Sequence, residues 1–415
     1  MKIIHISHSD ICGGAARAAY RLHRGLLSRN IDSSMLVRVK KSDDCTVTGP
    51  TSKSNKIFNL ARASLGARFD QLQSTPNVNM HSGNWLPSDF AKMINASNAD
   101  VVNLHWVNGE TISIEDIARI NKPIVWTLHD MWPFSGAEHY TNDDEAARWR
   151  LGYRKQNRLI GETGLDIDRL VWQRKRARWN NKSFHIISPS QWLADCARSS
   201  ILFENMPITV IPNVLDTHIY KPMDKAFCRQ ALGLPQDKKI ILFGAMGGSK
   251  DPRKGYDLLL AALNRLCKQV VPDDVMCVVF GQSEPENGPK LPFSAKWLGH
   301  IHDDVTLALI YNAATVMVVP SRQDNLPQTA TEPQACGTPV VAFNCSGLVD
   351  IIEHTKTGYL AKAFDINDMA YGINLALSDD GISLFRREKI REISLNKWLE
   401  SSVLSSYVNI YNSII

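Results

Sequence analysis

Short apolar runs alternate with amphipathic stretches along the whole chain. Residues 2–7 read as a first strand, broken by the polar His5 and Ser7. A polar turn over 8–14 follows, then an amphipathic helix over 15–28 with Ala18, Leu22 and Leu26 on one side. Further strands are predicted at 34–39, 101–104, 124–128 and 184–187. The last runs into Ser188-Pro189-Ser190-Gln191-Trp192-Leu193, a strand end followed by a helix N-cap. Residues 209–211 with Pro212-Asn213 mark a joint, and a polar, Pro-containing stretch continues to Pro235. The second half has strands at 239–244, 275–281 and 316–320 and a helix at 256–269, and a final helical segment spans 394–411. Strands alternating with helices at this spacing predict parallel, doubly wound α/β sheets.

At 415 residues the chain exceeds one compact core and fits two α/β domains. Its 44% hydrophobic and 21% charged residues are those of a soluble globular protein. Eight cysteines without a C-x-x-C pair argue against a zinc site or a disulfide framework, and point to a reducing compartment, the cytoplasm. The start lacks the apolar core of a signal peptide, and no run approaches a membrane span. The net charge of +5 is concentrated in residues 148–182, a basic stretch able to rest against anionic lipid headgroups at the inner face of the plasma membrane. It carries no nucleic-acid motif, so nucleic acid is not an expected partner.

The candidate chemistry lies at predicted strand ends, where open α/β sheets bind ligands. In VMVVPSRQDNLPQTATEPQACGTPVVA (316–342) a strand enters a turn holding Asp324, and Glu332 follows eight positions later at a helix start. Two acids so placed suit a polyhydroxylated, phosphorylated ligand, with backbone N–H groups around Asn325 and Leu326 facing an anion. In FGAMGGSKDPRKG (243–255) a glycine turn precedes Lys250, Arg253 and Lys254, but Gly248-Ser249-Lys250 is not a P-loop. Gly13-Gly14 sits in the first strand-to-helix turn without the third glycine of a dinucleotide fingerprint. In VWTLHDMWPFSGAEHY (125–140), His129 and Asp130 end a strand, with Trp132 just beyond, and His105 ends another. Asp166-Ile167-Asp168 reads as surface acids.

The 324–339 block resembles the E-x7-E motif of the family 4 glycosyltransferases, with Asp324 in place of the first Glu and Glu332 matching the second. The resemblance extends to Gly13-Gly14, His129, SPSQWLA, IPNVLD, PRKG and Leu298-Gly299-His300, nearly the whole chain. It implies a GT-B fold, with two Rossmann-like domains facing a cleft. The expected division is 1–212 for the acceptor side, 213–393 for the nucleotide-sugar side, and 394–415 as a helix returning to the first domain. It further implies retaining transfer from a nucleotide-diphosphate sugar to a lipid-linked saccharide acceptor. The T-L-H-D-M-W-P pattern resembles a subgroup acting in bacterial polysaccharide assembly, so the expected pathway is O-antigen or exopolysaccharide synthesis.

The roles implied are catalytic for His129, Asp324 and Lys254. Glu332 would hold the ribose, and Lys250 or Arg253 the diphosphate beside Lys254, since the family Arg is replaced by Gly248. Asn325, Leu326, Gly13 and Gly14 complete the donor side, and His105, Asp130 and Trp132 are acceptor-side candidates. No metal or other cofactor is expected. Two other readings fit the same residues: a sugar-phosphate synthase or phosphorylase, and a catalytically silent sugar-nucleotide-binding protein.

Overall fold

The computed structural model describes the chain apart from residues 51, 245–250 and 286–289 and the side chains at 55, 56 and 60. It divides into two compact units, Met1–Val214 with Ser401–Ile415, and Leu215–Glu400.

The first unit holds β1 (Lys2–Ser9), β2 (Asp32–Val39), β3 (Val47–Thr48), β4 (Gln73–Ser74), β5 (Val101–Leu104), β6 (Ile124–Thr127), β7 (Thr163–Gly164), β8 (Phe184–Ser188) and β9 (Ile208–Val210). Its main sheet is parallel in the order β3-β2-β1-β5-β6-β8-β9, while β4 and β7 form a separate antiparallel pair. Every residue of β5 and β6 is buried, as expected of parallel strands covered on both faces. On one face the rings of Trp126, Trp132, Trp179, Phe184 and Phe203 interlock. On the other, Val403, Leu404, Tyr407 and Tyr411 of the C-terminal helix Glu400–Ile414 cover Ile3, Leu22, Leu26 and Val101. That helix also accepts a hydrogen bond at the Tyr411 hydroxyl from Asn103 of β5, 2.7 Å away.

The second unit holds β10 (Lys239–Gly244), β11 (Val275–Phe280), β12 (Ser294–Trp297), β13 (Val316–Val319), β14 (Val340–Phe343) and β15 (Gly358–Ala361), all parallel in the order β12-β11-β10-β13-β14-β15. Chain order reverses between β1 and β5 in the first sheet and between β10 and β13 in the second. The carboxyl ends of these strands are where such sheets receive ligands.

The single helical segment expected over 394–411 is two helices, Arg387–Trp398 and Glu400–Ile414, broken at an extended Leu399. Their apolar faces enter different cores: Trp398 packs in the second unit and Val403 in the first. Among the described residues no helix is long and apolar enough to cross a membrane, and all eight cysteines are free thiols.

Candidate active site

In the second unit, β10 is followed, beyond the undescribed residues 245–250, by the one-turn helix Pro252–Lys254. The neighbouring β13 leads into the turn carrying Asp324. The two strands flanking the order reversal thus bring their carboxyl-end residues together. Lys254 Nζ lies 2.5 Å from Asp324 Oδ2, and Arg253 Nη1 lies 3.5 Å from Oδ1. Ser321 donates its hydroxyl to Oδ2 at 3.3 Å, and the Asp324 amide donates to Ser346 Oγ at 3.0 Å. Burial alone would raise the Asp324 carboxyl, but Lys254 and Arg253 outweigh it and hold it below its ordinary range. Lys250 lies outside the described residues.

Two glycines fix this arrangement. Gly255 closes the Lys254 turn at φ 68°, and a Cβ there would stand 2.0 Å from the Pro320 carbonyl oxygen. A Cβ at Gly347 would stand 1.3 Å from the Asn325 carbonyl oxygen. Lys254 and Ser321 line a small hollow with Gly244, Tyr256, Gln282 and Thr329.

Glu332 lies within the helix Gln328–Ala335 and is buried. Tyr311 donates its hydroxyl to Glu332 Oε2 at 2.8 Å; burial first, then the adjacent carboxylate, drives this phenol well above its usual pKa and keeps it a donor. Asn325 is buried, and the Leu326 side chain, expected on the donor side, belongs to the hydrophobic core; only its backbone remains to meet a ligand.

In the first unit, three imidazoles form a chain at the order reversal. His5 Nδ1 of β1 lies 3.0 Å from His105 Nε2, and His105 Nδ1 lies 3.2 Å from His129 Nε2. Burial pushes His129 down to about 4 despite the pull of Asp130, and drives His5 and His105 well below 6.5. All three rings are neutral at neutral pH. His129 is the least buried of the three, since His5 and His105 are enclosed. His105 is therefore the middle of this chain and not a surface contact for an acceptor.

Two further acceptor-side expectations are corrected. Trp132 is fully buried, donates Nε1–H to the Ser82 carbonyl at 2.7 Å and lies beneath Lys175, 3.7 Å from its ring centroid. Asp130 is buried and turned inward, accepting from Trp106 Nε1 at 2.8 Å and pairing with His139 Nδ1 at 2.6 Å. Asp168, read as a surface acid, is also buried, accepting from Gln73 Nε2 at 2.6 Å, while Asp166 caps the helix Ile167–Trp179 and pairs with Arg148 at 2.7 Å. These groups hold the loop after His129 in place. Gly13 has φ 96° and caps the helix that begins at Gly14, where a Cβ would meet nothing within 4 Å.

Sequence reasoning missed His5, Ser321, Ser346 and Tyr311. His5 left a signal, a polar interruption in an otherwise apolar buried strand. Tyr311 left none, because its partner lies 21 residues away on another helix.

The description "Glycosyltransferase Family 4" matches residues 12–219, half of the chain, and "Glycosyl transferases group 1" matches 224–395. A D-inositol 3-phosphate glycosyltransferase of Mycobacterium sp. (strain KMS) is 30% identical over 301 residues, 67% of this chain and 59% of that relative. The matched region thus spans about three-fifths of the relative's length. Sucrose-phosphate synthase from Thermosynechococcus elongatus superposes with a TM-score of 0.70 at 18% identity, covering 100% of this chain and 99% of that one. Anabaena HepE in complex with UDP and glucose gives 0.63 at 17% identity, with both chains fully covered. The two structural likenesses carry the fold, two Rossmann-like α/β domains of the GT-B class, and the matched description carries the family: the chain belongs to glycosyltransferase family 4.

Proposed function

We propose that the protein is a retaining glycosyltransferase that moves a sugar from a nucleotide-diphosphate donor to a saccharide acceptor, lipid-linked, in bacterial polysaccharide assembly. The observation that carries this reading is the meeting of Lys254, Arg253 and Asp324 at the carboxyl ends of β10 and β13. In it, Lys254 and Arg253 neutralise the donor diphosphate, Asp324 accepts from sugar hydroxyls, and Glu332 accepts from the ribose. Breaking the sugar–phosphate bond leaves negative charge on the nucleoside diphosphate, and fixed cations stabilise that charge more in the transition state than in the ground state.

The acceptor hydroxyl attacks C1 on the face from which the diphosphate departs, and a leaving phosphate oxygen takes the hydroxyl proton. His129 offers a neutral imidazole to the transferred sugar. Side-chain cations supply the charge that a metal supplies in other transferases, so turnover is expected to persist in a chelator. The basic stretch 148–182 provides the surface for peripheral contact with anionic lipid.

The test is a product assay on the full chain with UDP-, GDP- and ADP-sugars, offering a lipid-linked saccharide, D-inositol 3-phosphate and inorganic phosphate in turn. The reading expects transfer to the saccharide with the donor's anomeric configuration, read by NMR. An inverted product overturns retention, and transfer to inorganic phosphate alone favours a phosphorylase.

A further inference from the structure

The basic stretch of the first unit is not uniformly solvated. Arg148 pairs with Asp166 and Glu162, Arg150 with Asp143, Arg158 with Glu162 and Arg174 with Glu115, while Lys175 is fully buried. Four of the remaining cations converge. Arg154, Lys155, Arg169 and Arg176 line one cavity of about 430 Å³ between residues 151–156 and the helix Ile167–Trp179, and no carboxylate lines it. None of the four makes an ion pair among the described residues.

Two residues of the wall also carry buried donors. Trp172 is 4% exposed, and its indole N–H meets no acceptor among the described residues; the Arg169 Nε–H is likewise buried and unmatched. A buried N–H without an acceptor is costly, so such groups ordinarily mark a missing partner. Like charges gathered without an acid repel one another and favour an anion. Donors and cations together, with no acceptor-bearing acid, call for oxygen acceptors carrying negative charge. Arg176 adds a guanidinium 5.4 Å over the Trp172 ring, holding one cation at the wall.

We propose that this cavity is a binding site for a phosphate-bearing anion, separate from the Lys254 and Asp324 site. The phosphate oxygens accept from Trp172 Nε1 and Arg169 Nε and are neutralised by Arg154, Lys155 and Arg176. Two sources share this chemistry, a soluble phosphorylated small molecule and the headgroup of an anionic phospholipid.

The experiment uses the full chain. Inorganic pyrophosphate is titrated calorimetrically into wild type, Lys254→Ala and the double variant Lys155→Gln/Arg176→Gln, whose side chains make no ion pair among the described residues, with a thermal melt of each variant to show that it folds. In parallel, the same proteins are sedimented with phosphatidylglycerol and with phosphatidylcholine vesicles. A soluble ligand predicts pyrophosphate binding that survives in Lys254→Ala and weakens at least about tenfold in the double variant. A headgroup predicts the same loss for phosphatidylglycerol vesicles alone, with phosphatidylcholine never bound. Trp172→Phe, which keeps the ring and removes the donor, weakens whichever of the two is bound. Pyrophosphate and vesicle binding both unchanged by the double variant and by Trp172→Phe, or no binding of either by wild type, overturns the proposal.

Discussion

Lys254 Nζ and Asp324 Oδ2 are 2.5 Å apart, so the cation and the carboxylate assigned to different parts of one donor hold each other. The pair keeps Asp324 ionised in a buried place and keeps Lys254 aimed across the ends of β10 and β13. In the proposed reading a diphosphate entering this site would compete with Asp324 for Lys254, and the sugar hydroxyls would take up the carboxylate released. Lys254→Ala is expected to lower turnover by on the order of 10²–10³ through loss of one charge-assisted contact to the leaving group. Steady-state kinetics checks it; turnover within a few fold of wild type removes Lys254 from the reaction.

Gly255→Ala tests the same geometry through the backbone. The new Cβ meets the Pro320 carbonyl oxygen at 2.0 Å in a left-handed conformation, so the Lys254 turn must shift. A stability loss of at least about 2 kcal/mol, with turnover falling alongside, is expected in denaturant titration and activity assays.

Tyr311→Phe removes the hydroxyl that donates to Glu332 Oε2 at 2.8 Å while preserving the ring's packing. The expected cost is about 1–3 kcal/mol of stability, with weaker donor binding and little change in turnover at saturation. Thermal melts and a KM-against-kcat comparison separate the two effects.

The histidine chain makes stability depend on pH. His129 and His23 sit at about 4, and His5 and His105 lie well below 6.5. Between about pH 4 and 6.5 the unfolded chain therefore binds more protons than the folded one, and stability rises with pH through that window. Moving from pH 7 to pH 5 is expected to cost about 1–2 kcal/mol per buried imidazole, read as a falling denaturation midpoint. The tautomers are linked as well. His5 Nε2 has no partner among the described residues, and a bare lone pair there costs less than a stranded N–H. His5 then donates to His105, His105 donates to His129, and His129 carries its proton on Nδ1. Nitrogen-15 NMR of the imidazoles checks this; protonation of His129 at Nε2 contradicts it.

Much of this was readable from residue order. The strands at 101–104 and 239–244 announced themselves because parallel strands buried on both faces are continuous apolar runs. Lys254 and Asp324 could be singled out because each lies in a turn region beyond an apolar strand, and the structure brings the two side chains together. Trp132, Asp130 and Asp168 were misread because local sequence does not say whether a polar or aromatic group after a strand faces solvent or folds back to tie a loop. Long-range partners such as Tyr311 with Glu332, and the break at Leu399 that sends neighbouring helices to different cores, depend on tertiary packing that no local pattern records.

The central claim is that the second unit receives a nucleotide sugar at the carboxyl ends of β10 and β13. A crystal of the full chain soaked with the nucleotide sugar that most raises its melting temperature tests it most directly. The account predicts diphosphate density within hydrogen-bond distance of Lys254, the ribose at Glu332 and the sugar hydroxyls at Asp324. Ligand density elsewhere, with Lys254 and Asp324 still paired, would contradict it.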